Sequence, residues 1–276
     1  MNTIIYLLLT VSLIFSNENQ DTLHINNKII ISDIEVYGGL DESSVSTNIQ
    51  IITDNYFNIN GNDNFEDFLQ SIGSLNYAGG TSRAKYFQLR GLGELSQFSG
   101  EGPPHFYVGY IVDNIDFSGI GMIGQLYDMK QIEIFKGPHS TAFGSNAMAG
   151  VINMISYSPS FEKSFSTKIS YGSFNKHKYS FNINYPLSKK ISSNISIIKN
   201  DSNGYIKNNY LPDKNSNSKD EFLTKIKLLY SPNNFSKYLL TYYYINLDNK
   251  YDAWTIDNNG YNTISDYQGT DKNRTK

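Results

Sequence analysis

The second half of the chain, from about residue 165 onward, alternates strictly between apolar and polar positions. Successive side chains of a β-strand point to opposite faces. The pattern therefore predicts antiparallel hairpins with one apolar and one polar face. The alternating apolar sets are Phe165, Thr167, Ile169 and Tyr171; Tyr179, Phe181, Ile183 and Tyr185; and Phe222, Thr224, Ile226, Leu228 and Tyr230.

The connections between these strands differ in length. Residues 172–176, 186–190 and 231–237 are short, whereas residues 200–220 form a long polar connection. Transmembrane β-barrels combine short turns on one side with longer loops on the other, an apolar outer face and aromatic residues at the strand ends. A soluble β-sandwich also alternates, but the whole pattern favours a barrel. It places Phe181, Ile183, Ile226 and Leu228 on the outer face, and Asn182 and Lys227 on the inner face.

Between about residues 29 and 158 the periodicity is mixed and glycine is frequent. Residues 64–69 have the pattern of a short helix, capped by Asp63 or Asn64 and ended by Gly73. Short strands are predicted over residues 86–90, 106–111, 131–135 and 150–156. This half therefore predicts a small α+β domain with tight turns. The predicted fold class is an α+β domain followed by antiparallel β-hairpins.

The first residues have the features of an export signal. Residues 4–15 form an apolar run, which is shorter than the about 20 residues of a membrane-spanning helix and typical of a signal core. No Lys or Arg precedes the run, and a buried helix or strand is the alternative interpretation. We expect a signal peptide over residues 1–16 and a polar, unanchored segment over residues 17–30.

Composition argues against several classes of function. The net charge of −3 gives no basic surface for nucleic acid. Cysteine is absent and the 4 histidines are scattered, so we expect no disulfide, no metal site and no cofactor. Residues 91–96 lack the third glycine of a dinucleotide-binding motif, and no motif of a nucleophilic or metal-dependent enzyme occurs. We therefore expect no enzymatic activity and no nucleic-acid partner.

Four ordered blocks in the glycine-rich half resemble the plug domain of TonB-dependent outer-membrane receptors. Residues 88–93 (QLRGLG) resemble the family's IRG strand end, and residues 112–115 (VDNI) resemble its VDGV turn. Residues 131–144 (QIEIFKGPHSTAFG) are similar to ERIEVLRGPQSTLYG, and residues 146–155 (NAMAGVINMI) are similar to NAIGGVINIIT. All four occur in the family's order and spacing.

The resemblance implies a plug domain over residues 31–160 and, over residues 161–276, the first strands of a truncated transmembrane barrel. A complete barrel of this kind has about 22 strands, and residues after 161 supply about five or six at 9–11 residues per strand. The implied location is the outer membrane of a Gram-negative bacterium, with the plug facing the periplasm and the barrel lumen. Residues 17–30 would then be periplasmic, and the barrel would contact outer-membrane lipid.

The matched motifs also imply structural roles for individual plug residues. Arg90 and Lys136 could pair with acidic groups of the barrel lumen and help to hold the plug. Glycines of the blocks could take positive φ or allow close approach of the backbone, although an ordinary surface turn is the simpler explanation for any one of them. The complete set is Arg90, Gly91, Asp113, Glu133, Lys136, Gly137, Gly144 and Gly150.

Two further segments have functional counterparts in the family. Residues 94–106 lie between the first two blocks, where family plugs expose an outward-facing apex. Their candidate ligand contacts are Gln97, Phe98, Glu101 and His105, and a rigid loop against the barrel wall is the alternative. The family's TonB box is an extended segment that pairs with the energising partner by strand addition. The residues that resemble it here are Asp33, Ile34, Glu35, Val36 and Tyr37. The alternatives are the plug's own first strand and, for the box, residues 21–25.

The function that the resemblance implies is active import. An unknown small extracellular ligand, such as a siderophore, a cobalamin or a glycan, would bind at the outer surface. TonB, with its inner-membrane energising complex, would then pull on the periplasmic segment. The alternative function is a non-transporting surface receptor or adhesin that reuses a plug-like domain.

The TonB-box assignment can be tested with proline. Proline removes a backbone donor and fixes φ, so Ile34→Pro or Val36→Pro should break an added strand, whereas side-chain truncations there should be mild. In the complete receptor we expect loss of ligand uptake with retained ligand binding at the cell surface. Uptake that survives both prolines would redirect the assignment to residues 21–25.

Overall fold

The computed structural model describes residues 48–59, 63–78, 82–84, 86–93, 106–119, 124–211, 215–233, 235–251, 259–266 and 269–275. Two sheets organise these residues. A five-stranded sheet lies in the first half of the chain, and a six-stranded antiparallel sheet lies in the second half. We refer to strands β1 to β8 and their connections as the first module, and to the six-stranded sheet as the hairpin sheet.

The first module has a mixed sheet in the order β1-β7-β8-β5-β6 and a small sheet in the order β2-β3-β4. Strand β5 runs parallel to β8, while β7 is antiparallel to both of its neighbours. The elements are β1 (Asn48–Thr53), α1 (Asp54–Ile59), a 3-10 helix (Phe65–Ser71), β2 (Leu75–Ala78), β3 (Tyr86–Leu89), β4 (Leu92–Gly93), β5 (Val108–Val112), β6 (Ile115–Asp116), β7 (Met129–Lys136), α2 (Ser140–Phe143) and β8 (Gly150–Ser156).

The helix expected over residues 64–69 is present as the 3-10 helix. Asn64 caps it: its side chain accepts from the Glu66 N–H, and the Asp67 side chain accepts from the Asn64 N–H, which is a capping box. Phe65 is fully buried and packs edge-on against Phe87, with ring centroids 5.8 Å apart. The helix thereby anchors the small sheet to the core of the first module.

Two of the block glycines occupy positions that no other residue fits. Gly93 has φ +150, and a Cβ there would collide with the Phe87 carbonyl oxygen. Gly150 has φ +158, and a Cβ there would collide with the Leu89 side chain and the Phe135 carbonyl oxygen. Gly93 therefore allows close backbone approach of β4 to β3, and Gly150 allows close backbone approach of β8 to β7.

The hairpin sheet has the order β16-β14-β13-β11-β10-β9, and every neighbouring pair is antiparallel. The short strands β12 and β15 pair with each other in parallel, outside this sheet. The elements are β9 (Ser164–Gly172), β10 (Lys176–Pro186), β11 (Ile191–Ser202), β12 (Lys207–Asn208), β13 (Lys219–Tyr230), β14 (Tyr238–Asn249), β15 (Asn262–Thr263) and β16 (Asp271–Thr275).

The two faces of the hairpin sheet differ as the alternation predicted. Phe165, Ile169 and Tyr171 are 63%, 67% and 76% exposed on the apolar face. On the polar face, Asn182 and Lys227 are buried, and Lys227 contacts the first module. The predicted facing of these residues is confirmed, and the register follows from it because a slip of one residue would exchange the faces.

The described residues after 165 form strands, turns and bends, without a helix. Connections of a few residues join β9 to β10, β10 to β11 and β13 to β14, whereas β11 and β13 are joined by a longer segment that includes β12. The fold class is therefore an α+β module followed by an open sheet of antiparallel hairpins. Nowhere in the described part of the chain is a helix both long and apolar enough to cross a membrane.

The packing of Gly150 leads to a stability prediction. Gly150→Ala should destabilise the protein by about 1–3 kcal/mol, because the added methyl group meets two fixed neighbours in a strained backbone conformation. Thermal unfolding of the detergent-purified protein measures the change. Gly73→Ala is the matched control, because a Cβ there meets nothing within 4 Å. Equal unfolding temperatures for the two variants would contradict the argument.

Candidate functional site

Charged side chains carry the contact between the first module and the polar face of the hairpin sheet. Glu221, Lys225 and Lys227 lie at alternate positions of β13, and all three are buried. An ionised group that is buried without a partner loses several kcal/mol of hydration free energy. Each of these charges is therefore expected to have a counter-charge on the first module, and each of them has one.

Lys227 meets Asp113, which lies in the tight turn between β5 and β6. The Lys227 Nζ to Asp113 Oδ1 distance is 2.9 Å. The Asp113 carboxylate also accepts hydrogen bonds from the Ser156 N–H at 2.9 Å, from the Ser156 hydroxyl at 2.7 Å and from the Tyr243 hydroxyl on β14. One carboxylate thus joins two segments of the first module to two strands of the hairpin sheet.

Lys225 forms a neighbouring pair with Asp128, with 2.6 Å between Nζ and Oδ2. Burial raises the pKa of Asp113. Lys227, and after it Lys225, lower the pKa by more than burial raises it, so the net pKa lies below its ordinary value. Burial also raises the pKa of Asp128, and there Lys225 only partly offsets it, so the net pKa is raised. Two adjacent carboxyl groups are therefore shifted in opposite directions, and Asp113 is the better-stabilised anion.

A second cluster centres on Arg83. Its guanidinium donates two hydrogen bonds of 2.7 Å to the Glu221 carboxylate and one of 3.1 Å to Glu66. Burial lowers the pKa of Arg83, but Glu221 and Glu66 raise it above its ordinary value, so the guanidinium stays charged. Three side-chain amides complete the bonding of Glu221: Gln125 at 3.0 Å, Asn200 at 2.9 Å and Asn249 at 2.9 Å.

A third cluster surrounds Asp63, just before the 3-10 helix. Lys168, Lys176 and Lys178 approach its carboxylate at 2.9, 3.6 and 3.4 Å. The Asp63 carbonyl also accepts from the Lys178 ammonium at 3.2 Å. Burial raises the pKa of Asp63, but Lys178 and then Lys168 outweigh it, so the net pKa is lowered. Asp63 therefore ties the start of the helix to β9 and β10.

Two adjoining cavities lie at the end of the hairpin sheet where β9 meets β10 and where the long connection begins. The larger, of about 990 Å³, is lined by that connection and the β9–β10 turn, including Phe174, Tyr205 and Lys207. The smaller, of about 450 Å³, lies between the hairpin sheet and the first module, and Asp63 and Arg83 line it. Both volumes are in the range of small-molecule sites.

Several residues singled out from the sequence lie outside the described residues. They are the TonB-box candidates Asp33, Ile34, Glu35, Val36 and Tyr37, and the apical-loop candidates Gln97, Phe98, Glu101 and His105. The alternative box over residues 21–25 and the export signal over residues 1–16 also lie outside. The roles of all these residues stay predictions.

The structure places the plug-motif residues in the first module. Asp113 is at the contact described above, whereas Glu133 is fully buried inside the module and accepts from Gln131 at 2.7 Å and Asn153 at 2.9 Å. The glycines Gly91, Gly137, Gly144 and Gly150 all have positive φ.

The basic residues that hold the module differ from those suggested by the sequence. Lys136 donates to the Gln50 side chain at 3.0 Å, a contact within the first module, because it ends β7 beside β1. Arg90 is exposed in the β3–β4 turn, and its pairing with a lumen carboxylate stays a prediction. Arg83 takes the cross-module role instead, and the other cations come from the hairpin sheet. In the sequence, only the inward facing of Lys225 and Lys227 could have indicated that cations of the hairpin sheet hold the first module.

Residues 41–151 match the family model described as TonB-dependent Receptor Plug Domain. The ferric-catecholate import receptor Fiu from E. coli K12, in its open form, is 16% identical, with a TM-score of 0.59 over 76% of this chain and 28% of that chain.

Two further receptors are similar in structure over about the same share of this chain. The ferric yersiniabactin uptake receptor FyuA from Yersinia pestis is 16% identical, with a TM-score of 0.64 over 76% of this chain and 32% of that one. The siderophore receptor PiuA from Acinetobacter baumannii is 16% identical, with a TM-score of 0.59 over 75% of this chain and 27% of that one. The fold is thus shared, and the chain spans about a third or less of the length of these receptors.

The Asp113–Lys227 pair can be tested by a double-mutant cycle. Asp113→Asn should destabilise the protein by about 3–5 kcal/mol, because it leaves a buried ammonium group without its counter-charge. The double variant with Lys227→Met should lose less than the sum of the single losses, with a coupling of about 0.5–3 kcal/mol in thermal unfolding. Lys199→Met removes a half-exposed pair and should change stability by less than about 1 kcal/mol. Additive losses at 113 and 227 would contradict the proposed pairing.

Proposed function

We propose, from the premise that residues 41–151 belong to the TonB-dependent receptor plug domain family, that this chain is the N-terminal part of an energy-coupled outer-membrane importer. In this proposal the first module is the plug and the hairpin sheet is the first part of the barrel. The boundaries are those expected from the sequence: signal peptide over residues 1–16, periplasmic segment over 17–30, plug over 31–160 and barrel strands over 161–276.

The observation that carries the proposal is the contrast between the two faces of the hairpin sheet. One face exposes Phe165, Ile169 and Tyr171, as a surface against hydrocarbon would. The other face carries buried Lys, Asn, Ser and Glu beside a few buried apolar residues such as Leu223 and Ile245, and it holds a folded module through buried ion pairs. A polar lumen filled by a module is the arrangement of a gated importer, because passage requires the module to rearrange.

The buried ion pairs are the reason that release of the first module would require an input of energy. Breaking one buried pair by removing a partner costs about 3–5 kcal/mol, and three separate clusters hold the module here. Thermal fluctuation alone would seldom release the module. Mechanical work delivered through the N-terminal segment is therefore part of the proposal, with TonB as the partner and residues 33–37 as its attachment.

Connection lengths support an orientation. The short turns after β10 and β13 would face the periplasm, and the longer segment between β11 and β13 would face the outside, where such barrels keep their longer loops. The two cavities would then open on the ligand side. The apolar face of the strands would contact outer-membrane lipid.

For the cargo we propose a ferric siderophore. The similar structures include import and uptake receptors for a ferric catecholate and for ferric yersiniabactin, and a siderophore receptor. Iron enters the proposal as cargo, held by the siderophore. A cobalamin, a glycan and a purely adhesive role are alternative outcomes of the test.

The test is an uptake assay with the complete gene that encodes this chain. A Gram-negative host without ferric-siderophore receptors of its own receives the gene or an empty vector, each in strains with and without functional TonB. Radioactive iron is supplied as a panel of ferric siderophores, with labelled cobalamin and oligosaccharides in parallel. We expect accumulation of one ferric siderophore only when both the gene and TonB are present.

The other outcomes are distinct. Accumulation of cobalamin or oligosaccharide alone would keep the importer and replace the cargo. Surface binding without accumulation in either strain would indicate a receptor or adhesin. Accumulation that does not require TonB would indicate a passive pore and contradict the energy-coupled mechanism.

A further inference from the structure

The Asp63 cluster holds more positive than negative charge. One carboxylate is shared by Lys168, Lys176 and Lys178, and all three ammonium groups lie within 4 Å of it. Strands β9 and β10 pair directly, so these lysines form one patch on the inner face. Like charges on neighbouring strands repel each other, and a single carboxylate offsets only part of that repulsion.

Two lysines beside the smaller cavity are incompletely bonded. Among the described residues, the Lys219 ammonium has no hydrogen bond and no carboxylate within 4 Å. Arg83 repels it from farther away, and Glu221, Glu66 and Asp67 attract it from farther away. Lys176 has a single contact of 3.6 Å to Asp63. Both side chains line the cavity, so their N–H donors are available to a molecule inside it.

The other charges that line this cavity are already engaged. The Arg83 guanidinium donates hydrogen bonds to Glu66, which also lines the cavity, and to Glu221, which does not line it. The Asp67 carboxylate accepts from the N–H groups of Asp63 and Asn64, each at 2.8 Å. Within the described part of the chain, Asp63 is the one carboxylate within 4 Å of the lysines that line the cavity.

The cavity adjoins the larger one and shares part of its lining. Both are lined by Phe174, Ser202, Tyr205 and Lys219. The rings of Phe174 and Tyr205 have centroids 6.2 Å apart and are more than half and about half exposed. Two partly exposed aromatic rings and the Lys219 side chain therefore lie on the lining that the two cavities share.

We propose that Lys176 and Lys219 form a binding site for a ligand group with two or more negative charges, namely a polycarboxylate or a phosphate. Lys168 and Lys178 add to the local positive potential, and Asp63 is the internal competitor for the same ammonium groups. Lysine suits this role because it presents three donors and a compact charge, and charge-assisted hydrogen bonds to carboxylate or phosphate are strong. The site deepens the proposed function, on which it rests, by assigning anionic character to the cargo.

The proposal predicts that removing a lysine weakens anion binding and that removing the Asp63 charge strengthens it. Lys176→Gln and Lys219→Gln each remove one donor cation and should weaken anion binding roughly tenfold. Asp63→Asn removes the competitor and should strengthen binding several-fold, whereas a residue that merely supports the fold would weaken it. Both lysines are at least partly exposed, so their variants should fold.

The experiment is titration calorimetry on the complete gene product, purified from outer membranes in detergent. The probes are citrate, inorganic phosphate and, as a neutral comparison, sorbitol. Asp248→Asn and Lys272→Gln are the matched controls, because they change the same charges in an ion pair of 3.0 Å that does not line this cavity. We expect citrate or phosphate to bind, sorbitol not to bind, and both controls to match the unmodified protein.

Each outcome decides the question. Binding of citrate alone assigns a carboxylate ligand, and binding of phosphate alone assigns a phosphate ligand. The proposal is overturned if neither anion binds, if Lys272→Gln weakens binding as much as Lys219→Gln, or if Asp63→Asn weakens it. The uptake assay is independent of these results: TonB-dependent accumulation that both lysine variants leave unchanged would refute this site while the importer stands.

Discussion

The buried charges of β13 each take their counter-charge from the other half of the chain. Lys225, Lys227 and Glu221 are among the least exposed side chains of the hairpin sheet, and their counter-charges are Asp128, Asp113 and Arg83 of the first module. Removing one partner while the two halves stay packed would leave an unpaired buried ion, which is strongly unfavourable. The two-residue period of β13 sets the positions of the cations and the acid, and tight turns of the first module bring the partners to them.

The contacts are distributed unevenly over the hairpin sheet. Strands β13 and β14 contribute Lys225, Lys227 and Tyr243, which all bond to the first module. In the middle of β10 and β11 the inner residues are short, and within the described residues the buried hydroxyl groups of Ser180 and Ser196 have no hydrogen-bond partner. The first module is therefore held most firmly along β13 and β14, and again at Asp63, with a less bonded stretch between them.

Much of the fold could be predicted from sequence because its signals are local. Alternation in residues 165–171 and 222–230 fixed both the strands and their faces, and the glycine blocks indicated tight turns that the structure contains. Strands β1 and β2 were not predicted, because they are short and lack a strong pattern. The 3-10 geometry of Phe65–Ser71 depends on packing against Phe87 and the capping box, which a helical period does not reveal.

The contact site was harder to predict, for a physical reason. A strand pattern shows that Lys227 points inward, but its partner Asp113 lies far away in the sequence and is chosen by tertiary packing. Arg83 has no motif that marks it, and its neighbours on the chain are not strand-forming, so its bidentate contact with Glu221 is visible only in three dimensions. The resemblance suggested that Arg90 and Lys136 could hold the plug; Lys136 contacts Gln50 of its own module, and the pairing of Arg90 stays a prediction.

The cross-module pairs have a consequence for how this chain can diverge among its relatives. Positions on the outer face of β13, such as Ile226 and Leu228, need only remain apolar, so each can change by itself. If Lys227 lost its charge, Asp113 would be left without its counter-charge. The same holds for Lys225 with Asp128 and for Glu221 with Arg83. Substitutions at these inner positions should therefore occur in correlated pairs. Along a single strand, outer positions should vary independently, while the inner positions next to them should vary together with their partners.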